Sequence, residues 1–147
     1  VEVGGWKPGA LLNPPAGAQL DSTLARQERF VRELAGMLPR VALRPVRVEA
    51  IGDGVWRIAV DVANDGALPT TTALGARMRN PRGVRVDLTG QGMTILSGNA
   101  VQVLGVLEGA GRTTTLEWTI AAPRGTTLQL TAGSPVSGSA TQTISLR

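Results

Sequence analysis

Between Val55 and Thr70 the chain reads VWRIAVDVANDGALPT, and the first half of that run permits few conformations. Trp56, Ile58, Val60 and Val62 alternate with Val55, Arg57, Ala59 and Asp61. A period of two gathers one apolar row on a single face of a β-strand, whereas a helix would scatter it. The run then meets Asn64, Asp65 and Gly66, residue types that tolerate left-handed backbone angles, and turns toward Pro69. The segment predicts a buried central strand ending in a structural corner formed by Asn64, Asp65, Gly66 and Pro69.

The same period recurs downstream. Thr114, Leu116, Trp118 and Ile120 face one way, while Thr113, Thr115, Glu117 and Thr119 face the other. Val46, Val48 and Ala50 form a row before Gly52-Asp53-Gly54, a hairpin signal leading into the central strand. After the corner, Leu74, Ala76 and Met78 predict a further inward row, and Asn80-Pro81-Arg82-Gly83 a β-turn. Val84, Val86 and Leu88 continue the pattern. Met93 to Leu96 and Val101 to Leu107 read as short strands, the second bulged at Gly105. Leu128 and Leu130 follow, then a loop from Gly133 to Gly138, and Ile144 with Leu146 closes the series. Short strands joined by short turns pair antiparallel. The fold expected is mainly β, an antiparallel immunoglobulin/transthyretin-like β-sandwich of about seven to eight strands.

Upstream of Val41 the period is different. Val1 to Trp6 reads as a strand end broken at Gly4-Gly5, and Lys7 to Ala18 is a loop with proline at 8, 14 and 15. Leu20, Leu24, Val31, Leu34 and Leu38 then lie at helical spacing, joined by Phe30 and Met37, with Arg26, Gln27, Arg29, Arg32 and Glu33 opposite. An amphipathic α-helix of about four turns is expected, with Asp21 or Ser22 as N-cap and Pro39 as its stop. The chain thus divides into residues 1–39 and a sandwich domain over residues 40–147.

Composition narrows the chemistry. Histidine and cysteine are both absent. A disulfide framework, a Ser-His-Asp or Cys-His mechanism and a conventional zinc site are therefore excluded from this chain. No pair of carboxylates shows a spacing that defines a hydrolytic cleft. Asn64-Asp65-Gly66 resembles part of a calcium loop, yet the other ligands at fixed offsets are missing, which favours the corner. Gly4-Gly5 and Gly109-Ala110-Gly111 lack the strand-then-helix setting of a phosphate loop. No catalytic or metal-ligating residue is assigned, and no cofactor is expected in this chain. Trp56 and Trp118 belong to inward rows; Trp6 either packs beneath the proline-containing loop or contacts a neighbouring domain.

The net charge is +4, and Arg77, Arg79, Arg82 and Arg85 could form a local basic patch. With only Phe30 and three tryptophans to stack on bases, no nucleic-acid partner is expected. No apolar run approaches the roughly 20 residues of a membrane span, and no signal peptide is visible. The opening VEVGGW, without methionine, reads as a piece of something longer.

VEVGGW (Val1 to Trp6), then Asn13-Pro14-Pro15, then a helix holding Phe30, Leu34-Ala35 and Leu38-Pro39, then VWRIAVDVANDGALPT form an ordered series. That series resembles the C-terminal region of bacterial zinc metallocarboxypeptidases of the carboxypeptidase A type. In that family a "VEIGGW" segment and an "NPP" precede a helix ending in Leu-Pro, followed by a β-sandwich with an "N-x-G-x-LPT" corner. The resemblance implies that the HxxE pair and later histidine that hold zinc lie upstream of Val1. The general base would precede this segment too, so Glu2 is not carried over as that base.

The resemblance implies that the chain is a non-catalytic accessory part of a bacterial hydrolase, a metallopeptidase that is secreted or lies in the periplasm or cell envelope, packing on an N-terminal peptidase domain and shaping or stabilising it. Glu2, Trp6, Leu24, Val31, Leu34 and Leu38 would make the interdomain contact. Two other readings stay open from the residues alone: a free-standing binding or adhesion module for carbohydrate or an envelope protein, and a structural subunit with open edge strands.

Overall fold

The structure, a computed structural model, describes residues 4, 18–78 and 83–147. It separates into two compact units, divided after Gly36. The expected strand end at Val1–Trp6, with Glu2 and Trp6, the proline-containing loop and most of the turn at 80–83 lie outside the described residues.

In the first unit, helix α1 spans Ala18–Gly36. It starts ahead of both proposed caps, leaving Asp21 inside the first turn, where a carboxylate complements the helix dipole. It also stops before Met37, so Leu38 is not part of the helical stripe. Arg32 and Glu28 form an i,i+4 ion pair, and Arg26 Nε donates to the carbonyl of Ser22 at 3.2 Å.

The second unit is an antiparallel β-sandwich of nine strands among the described residues. Its strands are β1 (Val41–Leu43), β2 (Arg47–Gly52), β3 (Val55–Asn64), β4 (Val84–Gly90), β5 (Thr94–Ser97), β6 (Val101–Leu104), β7 (Thr113–Ala121), β8 (Thr127–Ser134) and β9 (Gly138–Ser145). One sheet has the order β1-β3-β7-β5, with β2 also alongside β3; the other runs β6-β4-β8-β9. The central ladder sets Trp56 opposite Ile120, Ile58 opposite Trp118 and Val60 opposite Leu116. From the facing sheet Val84, Val86, Leu88, Leu128, Leu130, Ile144 and Leu146 complete the core. Each large side chain buried there contributes about 1.5–3 kcal/mol. Both tryptophans are fully buried with their N–H satisfied: Trp56 Nε1 donates to Ala122 O at 2.9 Å, and Trp118 Nε1 to Asn99 O at 2.8 Å.

Several expectations need correction. Leu74, Ala76 and Met78 are not a strand row: Ala73–Ala76 forms a short helix, α2, and Leu74 is 76% exposed. Thr72 decides this locally, since its hydroxyl accepts from Gly75 N at 3.1 Å and caps the turn. The strand expected over Val101 to Leu107 ends at Leu104, and Gly105 lies beyond it rather than in a bulge. Of the row Val46, Val48 and Ala50, Val46 packs half-buried against the core, while Val48 and Ala50 on the edge strand β2 are exposed. Most of the expected loop from Gly133 to Gly138 is taken up by β8, β9 and a tight turn.

Candidate functional site

Asn64 closes β3 and is completely buried. Its side-chain oxygen accepts from Arg40 N at 2.9 Å and Gly66 N at 3.1 Å; its amide nitrogen donates to Leu68 O at 2.8 Å and Leu107 O at 3.2 Å. All four hydrogen-bonding capacities of the amide are thus spent on backbone. Its own main chain is held as well, donating to Arg112 O and accepting from Gly111 N. One side chain pins the first strand, the corner and the β6–β7 connection together. With both lone pairs of the oxygen occupied by N–H donors, the residue has none left for a cation.

The corner is not left-handed, since neither Asn64, Asp65 nor Gly66 has positive φ. Glycine is required at 66 for a different reason: a Cβ would come within 2.1 Å of Leu38 O and 2.7 Å of Pro39 Cα. Gly109 stands in the same relation to the other side, where a Cβ would meet Ala67 O at 2.2 Å. Ala110 N donates to Gly66 O at 2.8 Å, which gives the Gly109-Ala110-Gly111 run a place in the corner that its sequence did not announce. Thr70 was missed as well: its hydroxyl accepts from Leu107 N at 3.0 Å, and its own N–H donates to Leu107 O at 3.0 Å. Of the predicted corner residues, Pro69 makes no such bond but lines a groove against α2 with Ala73, Ala76 and Val106. Asp65 accepts from Arg44 NH2 at 2.6 Å.

Among the described residues, four ion pairs lie on the outer faces of the sandwich: Arg44 with Asp65, Arg47 with Asp61, Arg57 with Glu49 and Arg85 with Asp87. Arg47 holds Asp61 with a forked contact of 2.9 and 3.3 Å, and Thr115 Oγ1 donates to Asp61 Oδ1 at 2.6 Å. The Arg47 bond, with that of Thr115, brings the Asp61 carboxyl down to about 2. Arg85 likewise grips Asp87, both oxygens lying 2.9 Å from Nε, and lowers that carboxyl. Arg57 reaches Glu49 at 3.1 Å. Carboxylates depressed in this way are poor proton shuttles near neutrality. Among the described residues no group of three or more His, Cys, Asp or Glu side chains comes together.

Of the predicted contact residues, Leu24, Val31 and Leu34 all lie on α1, with Phe30 beside them, and each is exposed, Val31 by 60% and Phe30 by 65%. Leu38 is exposed too, but in the sandwich unit, next to the backbone that meets Gly66. The structure therefore places three of the predicted residues on one helix and the fourth elsewhere. A shallow groove of about 560 Å³ on the four-stranded sheet is lined by Thr89, Gln91, Thr127, Gln129 and Thr143, polar but without a charge.

The fold and its surface define an antiparallel β-sandwich that carries these four ion pairs on its outer faces. The chain belongs to the family described as Domain of unknown function (DUF8731), whose model matches residues 40–145. No curated protein matches it. Among solved structures, the yeast GGA1 GAE domain is similar with a TM-score of 0.44 and 12% sequence identity, over 74% of this chain and 92% of that chain. No helix of the described residues is long and apolar enough to cross a membrane.

Proposed function

We propose that this chain is the non-catalytic accessory region of a zinc metallocarboxypeptidase of the carboxypeptidase A type, packing against the peptidase domain and stabilising it. The observation that carries the reading is the corner. Asn64, Gly66, Pro69 and Thr70, members of the N-x-G-x-LPT pattern, are positions that sandwich geometry uses one by one. The exposed apolar row on α1 supplies a surface suited to burial against a neighbouring domain. Zinc has no fitting donors in this chain: histidine and cysteine are absent, and the carboxylates do not cluster among the described residues. The metal and the hydrolytic groups therefore belong to the neighbouring domain in this reading, and no step is assigned to the residues described above. A stacking platform for carbohydrate gains less support, because Trp56 and Trp118 are in the core.

The test is to express the chain alone and together with a zinc carboxypeptidase catalytic domain carrying the VEIGGW-type junction. The chain alone, with zinc supplied, should release no C-terminal amino acid, while the joined protein should resist heat inactivation better than the catalytic domain by itself. Turnover by the isolated chain, or equal heat resistance of the two longer forms, would refute the reading.

A further inference from the structure

The edges of the two sheets are not equally guarded. β2 carries Arg47 and Glu49, β5 is broken by a register shift between Ile95 and Ser97, and the turn before β9 is tied to the first strand by the Val41 N to Ser137 O bond of 3.0 Å. Charges and bulges are the usual means by which edge strands avoid pairing with another chain. β6 has neither. From Met93 to Leu107 the sequence MTILSGNAVQVLGVL contains no charged residue and no proline. The two valines of β6, opposite Asp87 and Arg85 on the outer row, are 43% exposed at Val101 and 66% at Val103.

The ladder also fixes which peptide groups of β6 are spare. Leu88 N donates to Ala100 O at 2.9 Å, and pairing continues with Val86 opposite Gln102 and Val84 opposite Leu104. In an antiparallel pair, hydrogen-bonded positions alternate with non-bonded ones. Ala100, Gln102 and Leu104 therefore direct their peptide groups at β4, and Val101 and Val103 direct theirs away from it. Among the described residues nothing bonds to those outward groups.

We infer that β6 is a self-association edge, pairing antiparallel with β6 of a second copy of this chain about a twofold axis at Gln102. The strand is symmetric in the respect that matters: valine stands one residue either side of Gln102. In that register Val101 faces Val103 of the second copy, and every outward N–H and C=O of the two valines finds a partner. The exposed valines become cross-strand neighbours, and no charge of the strand lies across the axis. The nearest charged pair, Arg85 with Asp87, is one strand inward and neutral as a unit. A closed twofold contact of this kind stops at a dimer, joining two four-stranded sheets into one of eight.

The chain has no cysteine, which makes a register-specific test clean. Gln102→Cys places two thiols on a non-bonded antiparallel pair with Cα atoms about 4.5 Å apart, within the span of a disulfide. Mild oxidation should give a disulfide-linked dimer from Q102C and none from a control, Thr143→Cys, on β9. Sedimentation equilibrium of the unmodified chain should show dimer rising with concentration, lost in Val103→Lys, whose exposed site leaves the fold intact by circular dichroism. The exchange of the Val101 and Val103 amides should slow as concentration rises. A monomer at every concentration, equal cross-linking of Q102C and T143C, or a dimer unaffected by V103K would overturn the inference.

Discussion

Gly66 lies against the carbonyl of Leu38 so closely that a single methyl group at 66 would sit 2.1 Å from that oxygen. The obstacle is backbone on both sides, since Pro39 Cα is next at 2.7 Å, and no rotamer change relieves it. Gly66→Ala should therefore destabilise the sandwich by about 2–3 kcal/mol, in the upper range for overpacking. Urea denaturation followed by tryptophan fluorescence measures this as a lower midpoint at unchanged slope.

Asn64 gives a sharper contrast. Asn64→Ala removes the partner of the Arg40 and Gly66 N–H groups and of the Leu68 carbonyl, while Leu107 O keeps its bond from Thr70 N–H. At about 1–3 kcal/mol for each buried group left unsatisfied, a loss of about 3 kcal/mol is expected. Asn64→Asp keeps the acceptor toward Arg40 and Gly66 but turns the amide nitrogen into an oxygen facing Leu68 O and Leu107 O. That variant should be the less stable of the two at neutral pH. It should regain stability on acidification, as the introduced carboxyl protonates and donates again. Thermal melts of both variants across the acid range distinguish the cases.

Asp61 predicts the acid behaviour of the native chain. Its carboxyl is at about 2 in the folded state against an ordinary 3.8, so the folded form binds its proton less readily than the unfolded form. The stabilisation is complete above the unfolded value and is lost as pH falls from about 4 to about 2. Asp61→Asn should flatten that part of the stability profile, leaving a remainder from Asp87, which shifts in the same direction. Because both pairs are largely solvent-exposed, added salt should shrink the effect.

On α1 the expected result is selective. Val31→Glu or Leu34→Glu should leave the urea midpoint of the sandwich unchanged, since both side chains are exposed in a separate unit. Association with a peptidase domain should be lost. Co-purification of the two, compared with the unmodified chain, is the measurement.

Ala110 is the one non-glycine with positive φ among the described residues, at 60°. An L side chain held there costs about 1–2 kcal/mol in the folded state. Ala110→Gly should accordingly raise the denaturation midpoint, by less than that because glycine loses more chain entropy on folding.

The central strands were legible because burial on one face and solvent on the other write a period of two directly into the residues, as at Trp56 to Val62 and at Leu116 to Ile120. Leu74, Ala76 and Met78 carry the same period yet form α2 and its end. A three-residue match cannot compete with the Thr72 cap, and the exposed side chains never test the pattern against a core. The corner was visible for a partly wrong reason. Asn, Asp and Gly suggested left-handed angles, whereas the structure uses the amide as a four-way clamp and the glycine for close approach. Leu107, Gly109 and Thr70 could not be found from local sequence, because their role exists only once segments far apart in the chain meet. The helical row on α1 was legible for the reason the central strands were, with a period of 3.6 in place of two.

The clamp at Asn64 also sets an order of events. Its bond to Leu107 joins residues 43 positions apart, and β3 waits for the still later strand β7 as its central partner. On a growing polypeptide, the corner and the middle of the first sheet stay unfinished until most of this domain has left the ribosome. Such long-range closure makes folding slow and leaves the β7 side of β3 unpaired after its β1 and β2 side has found partners.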